Sequence, residues 1–453
     1  MKKLVILGAG TTGTMMANHL ASKLPKKEWE MIIADQEKKH YYQPGFLFVP
    51  FGIYEPKDVV KPTSDFLPSA GKLVNERINK VVPELNQVEL ENGEKLDYDL
   101  LIIATGSRIC PDEIEGMVCD QWHKEIFDFY TYEGSCALGE KFKTWEGGKL
   151  VVHIAEMPIK CPVAPLEFAF LADAFFEERG IRDKVDITFV TPLGGAFTKP
   201  RASKKLGYLL EEKKIKVVTD FVIERVDGEQ RRMYDYGGQE VEYDLLVTVP
   251  TNMGDPMVER SGFGDDLNFI PTDKCTLQSK MAENIFVIGD ATNLPASKAG
   301  SVAHFEAEIM VENIMHYIEG KPMIFEFDGR SNCFIETGHG KALLIDFNYT
   351  HQPVEGSFPI GDLGPLKLLF DRLQYLGSKE RVVDVLLLLY NWKYYGFDKD
   401  ESGDSVSDSD TTLIVSKHSR PVKPGYVKLQ FNNRSGTFSS KYSDSNNLLL
   451  INK

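Results

Sequence analysis

The first 35 residues constrain the fold of this chain more than any other stretch. Leu4 to Leu7 form an apolar strand, and "GAGTTG" (8–13) completes a GxGxxG turn through Gly8, Gly10 and Gly13. Met15, Met16, Leu20 and Leu24 then recur at helical spacing, and a second strand, "WEMIIAD", ends in Asp35. In such a unit the glycines allow a tight turn and close approach of a pyrophosphate. The free N–H groups and positive dipole end of the following helix hold the phosphates, and the acid is placed for a ribose hydroxyl. The predicted class is α/β, opening with a nucleotide-binding domain. The fingerprint alone does not separate NAD from FAD.

A second unit of the same kind is predicted further on. "EYDLLVTVP" (242–250) echoes "DYDLLIIATG" (97–106), as two related nucleotide-type domains would, the second interrupting the first. The second opens with the strand "KLVVHIA" (149–155), passes through "EMPIKCPVAPLEFAFLADAFFEERG" (156–180) and returns to a strand, "KVDITFVTP" (184–192). No glycine occurs from Lys149 to Glu178, and Pro158, Pro162 and Pro165 occupy the loop. Prolines lack the N–H donors a phosphate cradle needs. This unit is therefore not expected to bind NAD(P)H, and the electron donor should be something else.

The same loop carries Cys161 where a helix is predicted to start, with Lys160 beside it. A helix N-terminus and a neighbouring cation lower a thiol's pKa, so a reactive thiolate is one expectation. A buried cysteine in an apolar helix cap fits the spacing equally well. Glu167, six residues on, would be able to move protons if it faces inward.

Composition narrows the function. A formal charge of −15 argues against general nucleic-acid binding, which needs a basic face. The six cysteines (Cys110, Cys119, Cys136, Cys161, Cys275 and Cys333) make no CxxC pair and no zinc-like cluster with histidines, so neither a metal site nor a disulfide framework is expected. No apolar run is long enough to span a bilayer, and "MKKLVILGAG" reads as a strand entering its glycine turn rather than a signal peptide. "LGPLKLLFDRLQYL" (363–376) sets Leu366, Leu369, Phe370, Leu373 and Leu376 on one helical stripe, and "RVVDVLLLLYNWKYY" (381–395) ends in Tyr390, Trp392, Tyr394 and Tyr395. Residues 363–395 thus read as amphipathic helices docking on a membrane surface in one leaflet, or as a packed pair in a core or dimer interface. Residues 398–410 read as an acidic disordered linker. Beyond them, "TTLIV" and "YVKLQF" are β-like stretches of no legible role.

Several segments together carry a family resemblance. "YDLLIIATGSR" (98–108) and "NIFVIGDATN" (284–293) resemble the two later FAD motifs of the disulfide-reductase-like flavoproteins. "KCPVAPLEF" (160–168), "RSNCFIETGHGKALLIDFNY" (330–349), "HYYQPG" (40–45) and "ASKAGSVAH" (296–304) resemble, more narrowly, the sulfide:quinone oxidoreductases. The resemblance runs from Met1 to about Phe397; a sibling family is the flavoprotein subunit of flavocytochrome c sulfide dehydrogenase.

It implies FAD as cofactor, with Gly8, Gly10, Gly13, Asp35, Thr105, Gly106, Gly289, Asp290 and Lys298 around it. It also implies a redox pair, Cys161 and Cys333, an active-site Glu167, and Phe334 beside the quinone. Substrates would be hydrosulfide and a membrane quinone, on a peripheral (monotopic) membrane protein whose oligomeric state stays open. Many members carry a third cysteine that Tyr130 or a near neighbour replaces here; Cys119 and Cys136 are close without matching. The implied division is 1–115 with 270–328 for FAD, 116–269 for the second Rossmann-like domain, and 329–397 for Cys333 and the quinone-facing helices. Rivals are a type II NADH:quinone dehydrogenase, which would need a second glycine cradle, the flavocytochrome subunit, and a non-catalytic flavin redox sensor.

Overall fold

A computed structural model describes residues 1–350 and, beyond them, the strands Thr412–Ser416, Tyr426–Asn432, Thr437–Tyr442 and Leu450–Ile451. Two five-stranded parallel sheets organise the first region. One runs Ile285–Val287, Leu100–Ile103, Lys2–Leu7, Trp29–Ala34, Gly71–Val74; the other runs Ile126–Phe127, Leu245–Val249, Gly148–Ile154, Val185–Val190, Lys216–Val218. Every strand of the second sheet falls between the fourth and fifth strands of the first along the chain.

Both sheets are built alike. In each, the strand that opens the unit lies centrally, with the strand after its first helix on one side and the Asp-Leu-Leu strand on the other. The internal echo in the sequence therefore falls on equivalent strands, Leu100–Ile103 and Leu245–Val249, each preceded by a buried tyrosine, Tyr98 and Tyr243. Both strands are wholly buried, which is why they read as unbroken apolar runs. An antiparallel pairing of Ser107–Cys110 with Thr251–Gly254 links the two crossings between the sheets.

Two further elements position the site. The helix Ala164–Glu178 is buried along nearly its whole length, with Phe168, Phe170 and Phe176 in the core of the second unit. Against it lies an antiparallel hairpin, Ser331–Gly338 with Lys341–Phe347. The hairpin follows the helix Gly300–Ile318, which packs on the glycine-loop helix Thr11–Lys23. The chain thus returns from the first unit to cover the second.

The four C-terminal strands form their own antiparallel sheet, in chain order. The expected docking helices of 363–395 and the linker of 398–410 lie outside the described residues. Among the described residues, no helix is long and apolar enough to cross a membrane, and no cluster of side chains has the make-up of a metal site.

Candidate active site

The glycine loop has the shape of a phosphate cradle. Gly8 has φ +95°, and a Cβ there would lie 2.4 Å from the Ala104 carbonyl oxygen. A Cβ on Gly13 would lie 1.9 Å from the Gly8 carbonyl oxygen, so helix and strand approach only because both residues are glycine. A Cβ on Gly10 would meet nothing within 4 Å, which leaves that side of the turn open to a ligand. Asp35 braces the loop: its carboxylate accepts the Ala9 N–H at 2.5 Å and the Glu37 N–H at 2.7 Å. Burial raises the Asp35 pKa against those bonds. His40 is buried nearby, a ring nitrogen 3.1 Å from the Ala9 carbonyl oxygen.

The two later motifs meet this cradle. Thr105 follows the Leu100–Ile103 strand, and its buried hydroxyl has no protein partner. A buried unpartnered hydroxyl beside an open glycine turn suits a bound polar group. The Gly289 N–H donates to Glu306 at 2.7 Å, and burial holds the Glu306 carboxyl up at about 7. A small cavity is lined by Gly289, Asp290, Lys298 and Glu306, among others. Lys298 is buried; its Nζ donates to the carbonyls of Asp290 at 2.8 Å and Thr292 at 2.6 Å, and desolvation lowers its pKa to about 8. These residues fit a flavin dinucleotide.

The cysteine loop docks on that motif. Lys160 bridges to Lys298 as an isolated parallel pair, and the Cys161 N–H donates to the Lys298 carbonyl at 2.6 Å. The helix begins only at Ala164, so Cys161 stands before it, in a left-handed conformation with φ +42°. Cys333 lies on the hairpin strand Ser331–Gly338, buried in the same apolar cluster against which Cys161 packs. Glu167, Cys333 and Asp290 are the charged or ionisable neighbours that act on the Cys161 thiol. The fold thus brings together two cysteines far apart in sequence, a buried glutamate and the second dinucleotide motif.

One expectation is overturned. The Cys161 pKa is raised well above its ordinary value, first by burial and then by Glu167 and Cys333. Of the features expected to lower it, only the Ala164 N–H acts on the thiol, and burial outweighs it. The Leu166 and Glu167 N–H groups, which would face an anion at the helix start, donate to the Val163 carbonyl, and the Ala164 N–H to the Cys161 carbonyl. The Lys160 ammonium reaches Gln43 instead, at 3.3 Å.

Glu167 is buried, and its Oε1 accepts the Glu336 N–H at 3.0 Å, which ties the helix to the hairpin. Desolvation raises its pKa to about 8; Glu336, itself raised to about 7 by partial burial, adds to the effect. Phe334 alternates with Cys333 and Ile335 along the strand and is half-buried, while those two are buried in the core. Cys119 and Cys136 pack in other clusters than Cys161.

Sequence reasoning missed Glu306 and Tyr130. Glu306 had one signal, an acid inside the otherwise apolar helix stretch "SVAHFEAEIMV" (301–311). Tyr130, noted only as standing where a cysteine is common, donates its hydroxyl into the Cys161 loop.

Residues 2–141 match the family described as pyridine nucleotide-disulphide oxidoreductase. The chain is 29% identical over 362 residues to the mitochondrial sulfide:quinone oxidoreductase of Dictyostelium discoideum, covering 79% of this chain and 80% of that protein. It is 27% identical over 391 residues to the Mus musculus protein of the same name, covering 85% and 83%. The crystal structure of the sulfide:quinone oxidoreductase from Aquifex aeolicus shares the fold, with a TM-score of 0.68 at 21% identity over 79% of this chain and 87% of that one. Over about four-fifths of both partners, and with the paired sheets and cysteine loop described above, the chain is similar in sequence and in fold to the sulfide:quinone oxidoreductases, which are flavin-dependent enzymes.

Proposed function

We propose that this enzyme oxidises hydrosulfide at a Cys161–Cys333 pair and delivers the electrons through FAD to a membrane quinone. The observation that carries the reading is the meeting of the two cysteines, with Glu167, on a loop whose backbone is bonded to Lys298 beside the second dinucleotide motif. FAD, when bound, supplies two-electron chemistry, taking electrons from a sulfur pair and giving them to a quinone. Gly8, Gly10 and Gly13 would hold its pyrophosphate, Asp35 a ribose hydroxyl, and Thr105, Gly106, Gly289, Asp290 and Lys298 the remainder.

The chain's own part is sulfur exchange. Hydrosulfide attacks the oxidised Cys161–Cys333 bridge, the bridge S–S bond breaks, and a new S–S bond leaves a persulfide on one cysteine and a thiolate on the other. A second hydrosulfide takes the outer sulfur away as a disulfane anion. Closing the bridge again releases two electrons. Glu167 exchanges the proton that Cys161 must lose and regain, and burial in the apolar cluster keeps competing water out. Phe334, on the strand that carries Cys333, would line the approach of the quinone.

The pattern of 363–395 supports docking on a membrane surface, from which the quinone would come. The proposed division is 1–115 with 270–328 for FAD, 116–269 for the cysteine-loop unit, and 329–397 for the Cys333 hairpin and docking segment.

The test is sulfide-dependent reduction of decylubiquinone, with NADH as the rival donor. The native enzyme should turn over with sulfide, and Cys161→Ser and Cys333→Ser should each fall to background while keeping the flavin. Retained activity in both variants would refute the pair. Flavin bleaching by NADH and not by sulfide would favour a type II NADH:quinone dehydrogenase.

A further inference from the structure

We infer that Tyr130 is a positioning residue for Cys161, holding the cysteine in the backbone conformation that keeps its thiol aligned with Cys333. The inference rests on the reading of those cysteines as a redox pair and goes beyond it.

Cys161 is the point of strain in the loop. A left-handed φ in a residue with a Cβ is disfavoured, and such conformations persist only where the surroundings over-determine them. Three separate elements do so here. The Lys160 N–H donates to Asn252 Oδ1 at 3.0 Å, from the strand Thr251–Gly254. The Cys161 N–H donates to the Lys298 carbonyl at 2.6 Å. From the third side, the Tyr130 hydroxyl lies 2.7 Å from the Lys160 carbonyl and 3.2 Å from the Cys161 carbonyl, one donor shared between the peptide groups that flank the strained Cα.

Tyr130 is itself fixed. It is buried, its N–H donates to Asp128 Oδ1 at 2.9 Å, and its ring packs edge-on against Phe129 with centroids 5.0 Å apart. The Lys160 ammonium lies 6.0 Å from its ring centre. Of the three ties, the one from Tyr130 is the only one made by an aromatic hydroxyl, so it can be deleted with the ring left in place. A backbone tether of this kind acts on disulfide chemistry through effective concentration: a looser loop samples geometries in which the two sulfurs cannot bond.

The experiment is Tyr130→Phe in the holoenzyme, with Tyr132→Phe as control. Each protein is equilibrated with reduced and oxidised glutathione, the thiols are trapped, and the peptide bridging Cys161 and Cys333 is quantified by mass spectrometry. The potential of the pair in Tyr130→Phe should shift so that the bridge is about tenfold easier to reduce, the effect of one hydrogen bond on a buried group. Tyr132→Phe should match the native protein, and the alkylation rates of Cys110 and Cys275 should be equal in all three, which separates loop loosening from general unfolding. A Tyr130→Phe potential within twofold of native in equilibrium constant overturns the inference, and so does a native protein that forms no Cys161–Cys333 bridge. No sulfide or quinone enters this measurement. A bridge that shifts as expected in an enzyme that sulfide does not reduce would sink the functional reading and leave the role of Tyr130 standing.

Discussion

Replacing Glu167 by Gln should change how stability depends on pH, and by an amount the structure sets. The Glu167 carboxyl is buried and its pKa stands at about 8, against an ordinary value of 4.5. Between those values the folded protein keeps a proton that the unfolded chain releases, so stability falls as pH rises through the window and the loss is complete above about 8. Each pH unit of the window is worth about 1.4 kcal/mol, so from about pH 5 to about pH 8 Glu167 removes on the order of 4 kcal/mol. Glutamine has no proton to release, and its Oε1 can still accept the Glu336 N–H, so the tie between helix and hairpin survives. Glu336 titrates nearby, at about 7, and is common to both proteins, so the difference between them isolates Glu167. The assay is urea denaturation followed by circular dichroism at the two ends of the window. Native and Glu167→Gln proteins should be similar in acid, with the variant more stable by several kcal/mol in mild base. Parallel pH profiles would refute the assignment of Glu167 as a group held neutral by burial.

Two further outcomes are expected. Asp173 is held between Arg182 at 2.7 Å and Lys213 at 2.9 Å, all three mostly buried, so Asp173→Ala should cost about 3 kcal/mol by stranding two cations; an unchanged urea midpoint would contradict this. Gly13→Ala should purify without flavin absorbance, because its Cβ would lie 1.9 Å from the Gly8 carbonyl oxygen and force the cradle open; a fully loaded variant would show that the cradle is not used.

The parts of this site legible in the sequence are those where the backbone dictates the residue. Gly8 and Gly13 occupy positions where a side chain has no room, so residue type and geometry cannot be separated. The buried parallel strands were legible for a similar reason, since a strand covered on both faces must be apolar throughout. The ionisation of Cys161 was not. The expectation of a thiolate assumed that the N–H donors at the helix start outweigh burial. Two of them are taken up by the Val163 carbonyl, and the remaining pull of the Ala164 N–H is smaller than the cost of desolvation. Whether a donor is free depends on where a loop bends, and the bend at Cys161 is fixed by Tyr130, Asn252 and Lys298, which come from three distant segments. Glu306 was missed for the opposite reason: periodicity marks its helix as core, and nothing local says that the Gly289 N–H needs an acceptor at that point.

That reversal also bears on how the sulfur exchange can run. A thiol whose pKa is raised leaves slowly as a thiolate, so a bridge between Cys161 and Cys333 does not open easily by expelling Cys161 unaided. Near neutral pH, however, the group beside it is a carboxylic acid rather than a carboxylate, since Glu167 stands at about 8. A neutral Glu167 can protonate the departing Cys161 sulfur, and the resulting carboxylate keeps the Glu336 N–H as its donor. The same burial that denies Cys161 a stable thiolate therefore supplies the acid that makes the thiolate unnecessary. On the proposed exchange, an attack at Cys333 would let Cys161 leave as a thiol with its proton drawn from Glu167.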